Sequence, residues 1–210
     1  LIKIINKLAQ GFPAPFTHKT DILQIFGRGH GQEKYFFIGT LHVKDFLMNQ
    51  ETKIQYRPIG IIHSPHLKPG GTPIQPCSAK GIRGTVEVYP RFQEGLKDID
   101  GFSHLILLYH FHLVKDYQLK AVPFMEDREH GIFAIRGPAR PNPIGLSVVR
   151  LIQVRKNILT IEDIDIVDGT PLLDIKPYVP QMDIRDDAKI GWLEKAIHKM
   201  PHTLDDERFL

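Results

Sequence analysis

The densest grouping of residues able to do chemistry is Arg136-Gly137-Pro138-Ala139-Arg140-Pro141-Asn142-Pro143-Ile144-Gly145-Leu146-Ser147. Its closely spaced prolines fix φ and remove backbone donors, so such a loop presents its side chains at low entropic cost. Arg136 and Arg140 each carry a planar guanidinium fork suited to a carboxylate or a phosphate. The same composition also describes a rigid structural loop with two solvated arginines. A second grouping runs from Asp165 to Tyr178. In it Asp168-Gly169-Thr170-Pro171 has the chemistry of a turn, where an aspartate ordinarily bonds nearby backbone. Asp174 and Lys176 lie two apart, which on a strand puts them on one face within pairing reach. A third is the run His104 to His112, in which His104, His110 and His112 share one parity. Two of them could hold a metal ion. No further ligand set of matching spacing accompanies them, and histidines of the core or of a pocket are the simpler reading. Cys77 follows a proline-stiffened turn that begins at Gly70-Gly71, and nothing marks a base beside it. Gly27-Arg28-Gly29-His30-Gly31 lacks the spacing of a phosphate-binding loop.

The elements that would position these groups are mostly strands. Apolar and β-branched runs broken by Gly and Pro predict strands from Ile59 to His63, Gly84 to Tyr89, His104 to His112, Gly131 to Arg136, Leu146 to Arg155 and Ile158 to Ile166, with a further one from Leu172 to Ile175. After Glu162 the apolar residues change face, which predicts a bulge. Lys156-Asn157 predicts a tight hairpin turn. Strands succeed one another without long helical crossovers, which favours an antiparallel or mixed barrel over a doubly wound sheet. The fold class expected is mainly β: a single-sheet barrel core with a small α+β N-terminal extension and a C-terminal helix. Residues 1–55 form the extension. They hold weak helical stripes at Ile2, Ile5, Leu8 and at Ile22, Leu23, Phe26, and an aromatic strand from Tyr35 to Val43. Residues 56–183 form the barrel, and residues 184–210 form the helix and tail. In that last stretch Ile190, Leu193, Ile197 and Met200 recur at helical spacing, Asp186 or Asp187 would cap the helix, and Pro201 would stop it.

Composition narrows the class further. The 210 residues are 42% hydrophobic and 24% charged, values that exclude a disordered tail, a collagen-like repeat or a coiled-coil rod. No apolar run approaches the roughly 18 residues that a membrane helix requires. One cysteine cannot form an intrachain disulfide, and the first residues lack a secretory signal pattern, so a cytoplasmic location is expected. The net charge of +3 declares no partner by itself. Residues 1–55 carry seven Lys and Arg against four Asp and Glu, with Lys19, Arg28, Lys34 and Lys44 as candidates for phosphate contacts. The simpler reading of that region is a cover over one barrel end.

Taken in order, these segments resemble the TrmO-like family, also called TsaA-like or YaeB-like. The resemblance runs from Ile59-Gly60-Ile61-Ile62-His63-Ser64-Pro65 to Tyr178. It passes through Gly95 to Ile99, Gly101-Phe102-Ser103-His104-Leu105 and Gly131-Ile132-Phe133-Ala134 with Arg136. Arg140-Pro141-Asn142-Pro143-Ile144-Gly145-Leu146-Ser147 and Asp168-Gly169-Thr170-Pro171 with Asp174-Ile175-Lys176-Pro177-Tyr178 carry it most specifically. It implies a tRNA adenosine N6-methyltransferase that uses S-adenosyl-L-methionine and acts on threonylcarbamoyladenosine beside the anticodon. It also implies a homodimer with the cofactor near the subunit interface. Cofactor contacts are implied at Pro73, Ile74, Gln75, His112, Leu113, Arg136, Leu146, Asp168, Gly169, Thr170 and Pro171. Arg140 and Lys176 are candidates for the acceptor's carboxylate, no metal is expected, and the catalytic base is left unassigned. Ile74 stands where many relatives carry arginine, Leu113 replaces a polar residue, and Ile135 and Gly137 replace the Thr and Ser that commonly flank Arg136.

Overall fold

The computed structural model describes residues 22–28, 35–42 and 54–209. The chain divides into two compact units, Leu1–Gln55 and Tyr56–Leu210. In the first, β1 (Ile22–Arg28) pairs antiparallel with β2 (Tyr35–His42), from Ile22 opposite His42 to Arg28 opposite Tyr35. Ile22, Leu23 and Phe26 therefore lie on a strand and not on the helical stripe expected of them. Three apolar residues over one turn do not outweigh helix nucleation, whereas a β-branched and aromatic run gains from a strand partner. The stripe at Ile2, Ile5 and Leu8 lies outside the described residues.

The second unit is built on a closed antiparallel barrel. Its strands are β3 (Gly60–His63), β4 (Arg83–Val88), β5 (His104–His110), β8 (Ile144–Arg155), β9 (Ile158–Glu162) and β10 (Thr170–Pro177). They close in the order β10, β3, β4, β9, β8, β5. Closure leaves no unpaired edge among these six strands. Along β5 buried and half-buried residues alternate, and Leu105, Leu107 and Tyr109 point inward. They meet Ile62, Val86, Val149, Leu159, Ile161, Ile164 and Leu172 in one apolar core. Each such side chain, fully buried, contributes roughly 1.5–3 kcal/mol. β8 and β9 form the expected hairpin through Lys156, whose φ is 54°. The bulge expected after Glu162 is instead the end of β9. Asp163 adopts φ 67° there, and its carboxylate accepts the Gly81 N–H at 2.8 Å.

Two short elements stand apart from the barrel. β6 (Lys120–Ala121) pairs with β7 (His130–Gly131), and a 3₁₀ turn follows at Ile132–Ala134. Of the strand expected from Gly131 to Arg136 only Gly131 lies on a strand; a turn replaces the rest, and Arg140 Nη1 donates to the carbonyls of Ile132 at 3.1 Å and Ile135 at 2.8 Å there. The single C-terminal helix is also corrected. A single α-helical turn at Pro180–Asp183 precedes two 3₁₀ segments, Gly191–Lys195 and Ile197–His202. Neither Asp186 nor Asp187 caps them, and Pro201 lies inside the second. Its missing N–H and fixed φ are compatible with a short tight turn and hostile to a continuous α-helix. No described helix is long and apolar enough to cross a membrane.

Candidate functional site

Beyond the end of β5 the chain turns through Phe111-His112-Leu113-Val114 into a cleft. The loop Pro69 to Gln75, Leu146 of β8, the stretch Asp165-Ile166-Val167 and Thr170 of β10 form its other sides. The far C-terminal residues Asp205 and Phe209 complete it. Aromatic and aliphatic carbon makes up most of the surface. The polar groups are few: Thr72, Gln75, Tyr109, His112, Asp165, Thr170 and Asp205. Among the described residues no lysine or arginine lines it, although two carboxylates do.

The floor of the cleft is a hydrogen-bonded chain. The Tyr109 hydroxyl lies 3.0 Å from the Ser147 hydroxyl, which in turn donates to Asp165 Oδ1 at 2.7 Å. Ser147 is buried. Gly145 makes the arrangement possible, since any Cβ there would overlap the Tyr109 ring. Burial raises the Asp165 carboxyl from 3.8 to about 7, although the Ser147 bond works in the opposite sense. Burial, and then the Asp165 charge, push the Tyr109 phenol far above its ordinary value. Desolvation lowers His112, and neighbouring His110 adds to the effect. Desolvation also raises Asp205.

The turn expected at Asp168 to Pro171 delivers Thr170 to this cleft. Gly169 adopts φ 75°, a conformation that favours glycine. Asp168 Oδ1 accepts the Ser64 N–H at 3.0 Å and lies 3.4 Å from His63 Nδ1. The Gly169 N–H donates to the Ile62 carbonyl at 2.9 Å. Asp168, Gly169 and Pro171 therefore brace the turn, and of the four only Thr170 lines the cleft. Its hydroxyl donates to Val167 O at 2.6 Å and lies 3.5 Å from His112 Nδ1.

The remaining expected residues divide in the same way. Pro73, Ile74, Gln75, His112, Leu113 and Leu146 line the cleft. Arg136 lines a neighbouring groove that shares Ile74 and Gln75, and its Nη1 donates to Gln75 Oε1 at 3.2 Å. Arg140 spends Nη1 on backbone carbonyls of its own loop. Lys176 pairs with Asp174 at 2.7 Å, as their spacing predicts. Neither Arg140 nor Lys176 lines the cleft. His104 and His110 lie on the half-buried face of β5, whereas His112 lies past its end, and among the described residues no three His, Cys, Asp or Glu converge as a metal site.

Asp165, Tyr109 and Ser147 fall inside the segments that the sequence singles out but received no role there, and the C-terminal wall was missed. Asp165 gave no signal of its burial, because alternation with the buried Ile164 and Ile166 points an intervening acid to the opposite face. The wall gave no signal either. Its backbone is tied to the loop before Pro73: Gly71 N–H donates to Asp205 O and Asp205 N–H to Thr72 O, each at 2.8 Å. Phe209 packs with Ala121, Ile132, Ile135 and Ala139, and against Gly137, where a Cβ would stand 2.8 Å from its ring. Arg208 Nη1 donates to Pro123 O at 2.8 Å.

The comparisons with known proteins fall on the same region. Residues 61–184 match the tRNA-methyltransferase O N-terminal domain. A protein of Pyrococcus abyssi, named a probable S-adenosyl-L-methionine-binding protein, is 62% identical over 74% of this chain and 85% of its own length. The tRNA (adenine(37)-N6)-methyltransferase of Escherichia coli is 32% identical over 69% of this chain and 66% of its own. The crystal structure of TrmO from Pseudomonas aeruginosa superimposes with a TM-score of 0.57 at 39% identity, covering 67% of this chain and 63% of that one. This chain thus spans less than two thirds of the solved relative. On these grounds the chain belongs to the family of the tRNA-methyltransferase O N-terminal domain.

Proposed function

We propose that the chain is an S-adenosyl-L-methionine-dependent methyltransferase whose acceptor is N6 of threonylcarbamoyladenosine next to the tRNA anticodon. The observation that carries this reading is the composition of the cleft. Its walls suit a purine and a thioether chain, and its two carboxylates without a lysine or arginine suit a ligand bearing positive charge, as a sulfonium does. Pro73, Ile74, Gln75, His112, Leu113, Leu146 and Thr170 would hold the cofactor directly. Arg136, in the adjoining groove, would take its carboxylate end. Bound there, the cofactor supplies an activated methyl group. The residues of the chain then have to orient donor and acceptor in line, which is where most of the rate of such a displacement arises.

Exposed apolar side chains around the cleft support a homodimer. Phe133, Leu113, Ile144 and Leu146 are 76%, 42%, 40% and 46% exposed. A two-fold pairing would cover them and leave the cleft beside the subunit boundary. Light scattering at micromolar protein is expected to give twice the chain mass, and a monomer would refute the pairing. A tRNA substrate would place the protein in the cytoplasm.

The decisive experiment is incubation of tRNA carrying threonylcarbamoyladenosine with the protein and the cofactor, followed by mass spectrometry of the nucleosides. One added methyl on the modified adenosine is expected. Cofactor binding by calorimetry without methyl transfer would mark a non-catalytic binding module.

A further inference from the structure

We propose that Asp165 is the general base of methyl transfer, with Oδ2 taking the proton from the acceptor nitrogen. The proposal rests on the methyltransferase reading above and adds the residue that completes its chemistry.

The acceptor nitrogen gives the first argument. In threonylcarbamoyladenosine N6 is bonded to both a purine and a carbonyl carbon, so its lone pair is delocalised and it still bears a proton. Such a nitrogen is a poor nucleophile until that proton leaves, and a positioned base within hydrogen-bond reach is the ordinary solution. When the cofactor is bound, its S–CH₃ bond breaks with the electron pair going to sulfur, as an N6–CH₃ bond forms. Asp165 Oδ2 receives the N6 proton and releases it to solvent through the cleft mouth. Charge balances: the sulfonium becomes a neutral thioether and the carboxylate a neutral acid.

Asp165 has the geometry for this. Oδ1 is held by the buried Ser147 hydroxyl at 2.7 Å, which fixes the carboxylate plane. Besides Ser147, only the backbone of Asp165 itself bonds the carboxylate. The residue lines the cleft, the space where ligands would bind. The titratable groups that share the cleft with it are Tyr109 from β5, His112 just past β5 and Asp205 from the C-terminal wall. Tyr109 is held protonated by burial. His112 has only a long contact to Thr170 at 3.5 Å to orient it. Asp205 lies across the cleft on a different wall, its backbone tied to Thr72. Asp165 combines a carboxylate anchored by a buried hydroxyl with a place on the cleft lining. Burial keeps its carboxyl near 7, where a base is half ionised at neutral pH and strong enough to take a proton.

The test uses the full chain, the cofactor and modified tRNA. Asp165→Asn is expected to lose roughly 10²–10⁴-fold in kcat at saturating cofactor, a loss beyond any change in cofactor affinity that calorimetry measures. The wild-type rate should fall on the acid side with an apparent pKa near that of Asp165, about 7. Ser147→Ala removes the bond that stabilises the carboxylate, so it should move that limb to higher pH. Carboxyl-carbon NMR should show the same displacement of the Asp165 titration without any turnover. A wild-type chain that transfers no methyl refutes the methyltransferase reading itself. An active wild type matched in kcat by Asp165→Asn refutes the assignment of Asp165 alone. So does a variant whose loss lies wholly in cofactor affinity, or an acid limb that Ser147→Ala leaves in place.

Discussion

Replacing Asp165 by asparagine should make the ligand-free protein more stable, and the gain should depend on pH in a defined way. The carboxyl titrates at about 7 in the folded chain against an ordinary 3.8. Below 3.8 both folded and unfolded chains are protonated and nothing is lost. Between those values the unfolded chain ionises while the folded one keeps its proton, so the folded state binds more protons and stability falls as pH rises. Above about 7 both are ionised and the cost of the buried charge is fully expressed. At about 1.4 kcal/mol per pH unit across that window, the loss is about 4 kcal/mol. Asparagine keeps an Oδ1 to accept the Ser147 hydroxyl and never ionises. Urea unfolding of both proteins from pH 4 to pH 8 should therefore show two curves that converge at acid pH and diverge by about 4 kcal/mol at alkaline pH. Asp205 also titrates above its ordinary range, but it is present in both proteins and cancels in the difference. Parallel curves would show that the Asp165 carboxylate is not desolvated, and the argument for its basicity would fall with them.

Gly145→Ala should destabilise by about 1–3 kcal/mol, because its Cβ would overlap the Tyr109 ring; calorimetric unfolding measures this, and an unchanged midpoint would contradict the packing. S-adenosyl-L-methionine should raise the thermal midpoint, since a ligand of the native state alone stabilises it by mass action. Arg136→Ala should reduce that rise by removing a charge-assisted contact for the cofactor's carboxylate. An equal rise in the variant would place the carboxylate elsewhere.

Much of this site was legible because it depends on local chemistry. Asp168-Gly169-Thr170-Pro171 reads as a turn since only glycine sits easily at the φ of 75° found at Gly169. The Asp174–Lys176 pair follows from strand parity alone. The barrel follows from strands without helical crossovers. What failed to show was tertiary. The acid on the cleft floor depends on Ser147, which lies 18 positions away on β8. Arg140 looked free to bind an anion, but the carbonyls it meets are exposed by a 3₁₀ turn that no sequence pattern announces. The apolar spacing of Ile190, Leu193, Ile197 and Met200 suggested an α-helix, yet side chains at that spacing also serve tight 3₁₀ turns that pack over a groove.

The C-terminal wall offers the sharpest separation between fold and site. The family match ends at residue 184, yet Asp205 and Phe209 line the cleft. The barrel core contains no residue from beyond β10, so deleting residues 203–210 leaves every one of its buried side chains in place. The deletion removes the paired backbone bonds between Asp205 and the Gly71–Thr72 backbone, the bridge of Leu204 to Pro73 and the Arg208 bond to Pro123. Those bonds hold the segment that leads directly into Pro73-Ile74-Gln75. It also exposes the small apolar cluster under Phe209. Removing that ring costs about 3–5 kcal/mol where it is packed, but the cost falls on the wall and not on the barrel. The truncated chain is therefore expected to keep its strand-rich circular dichroism while its affinity for S-adenosyl-L-methionine falls by at least about tenfold, the equivalent of about 1.4 kcal/mol. Calorimetric titration of both chains decides it. Equal affinity would show that the loop before Gln75 holds its shape without the wall, and that Asp205 and Phe209 merely border a site made by the barrel.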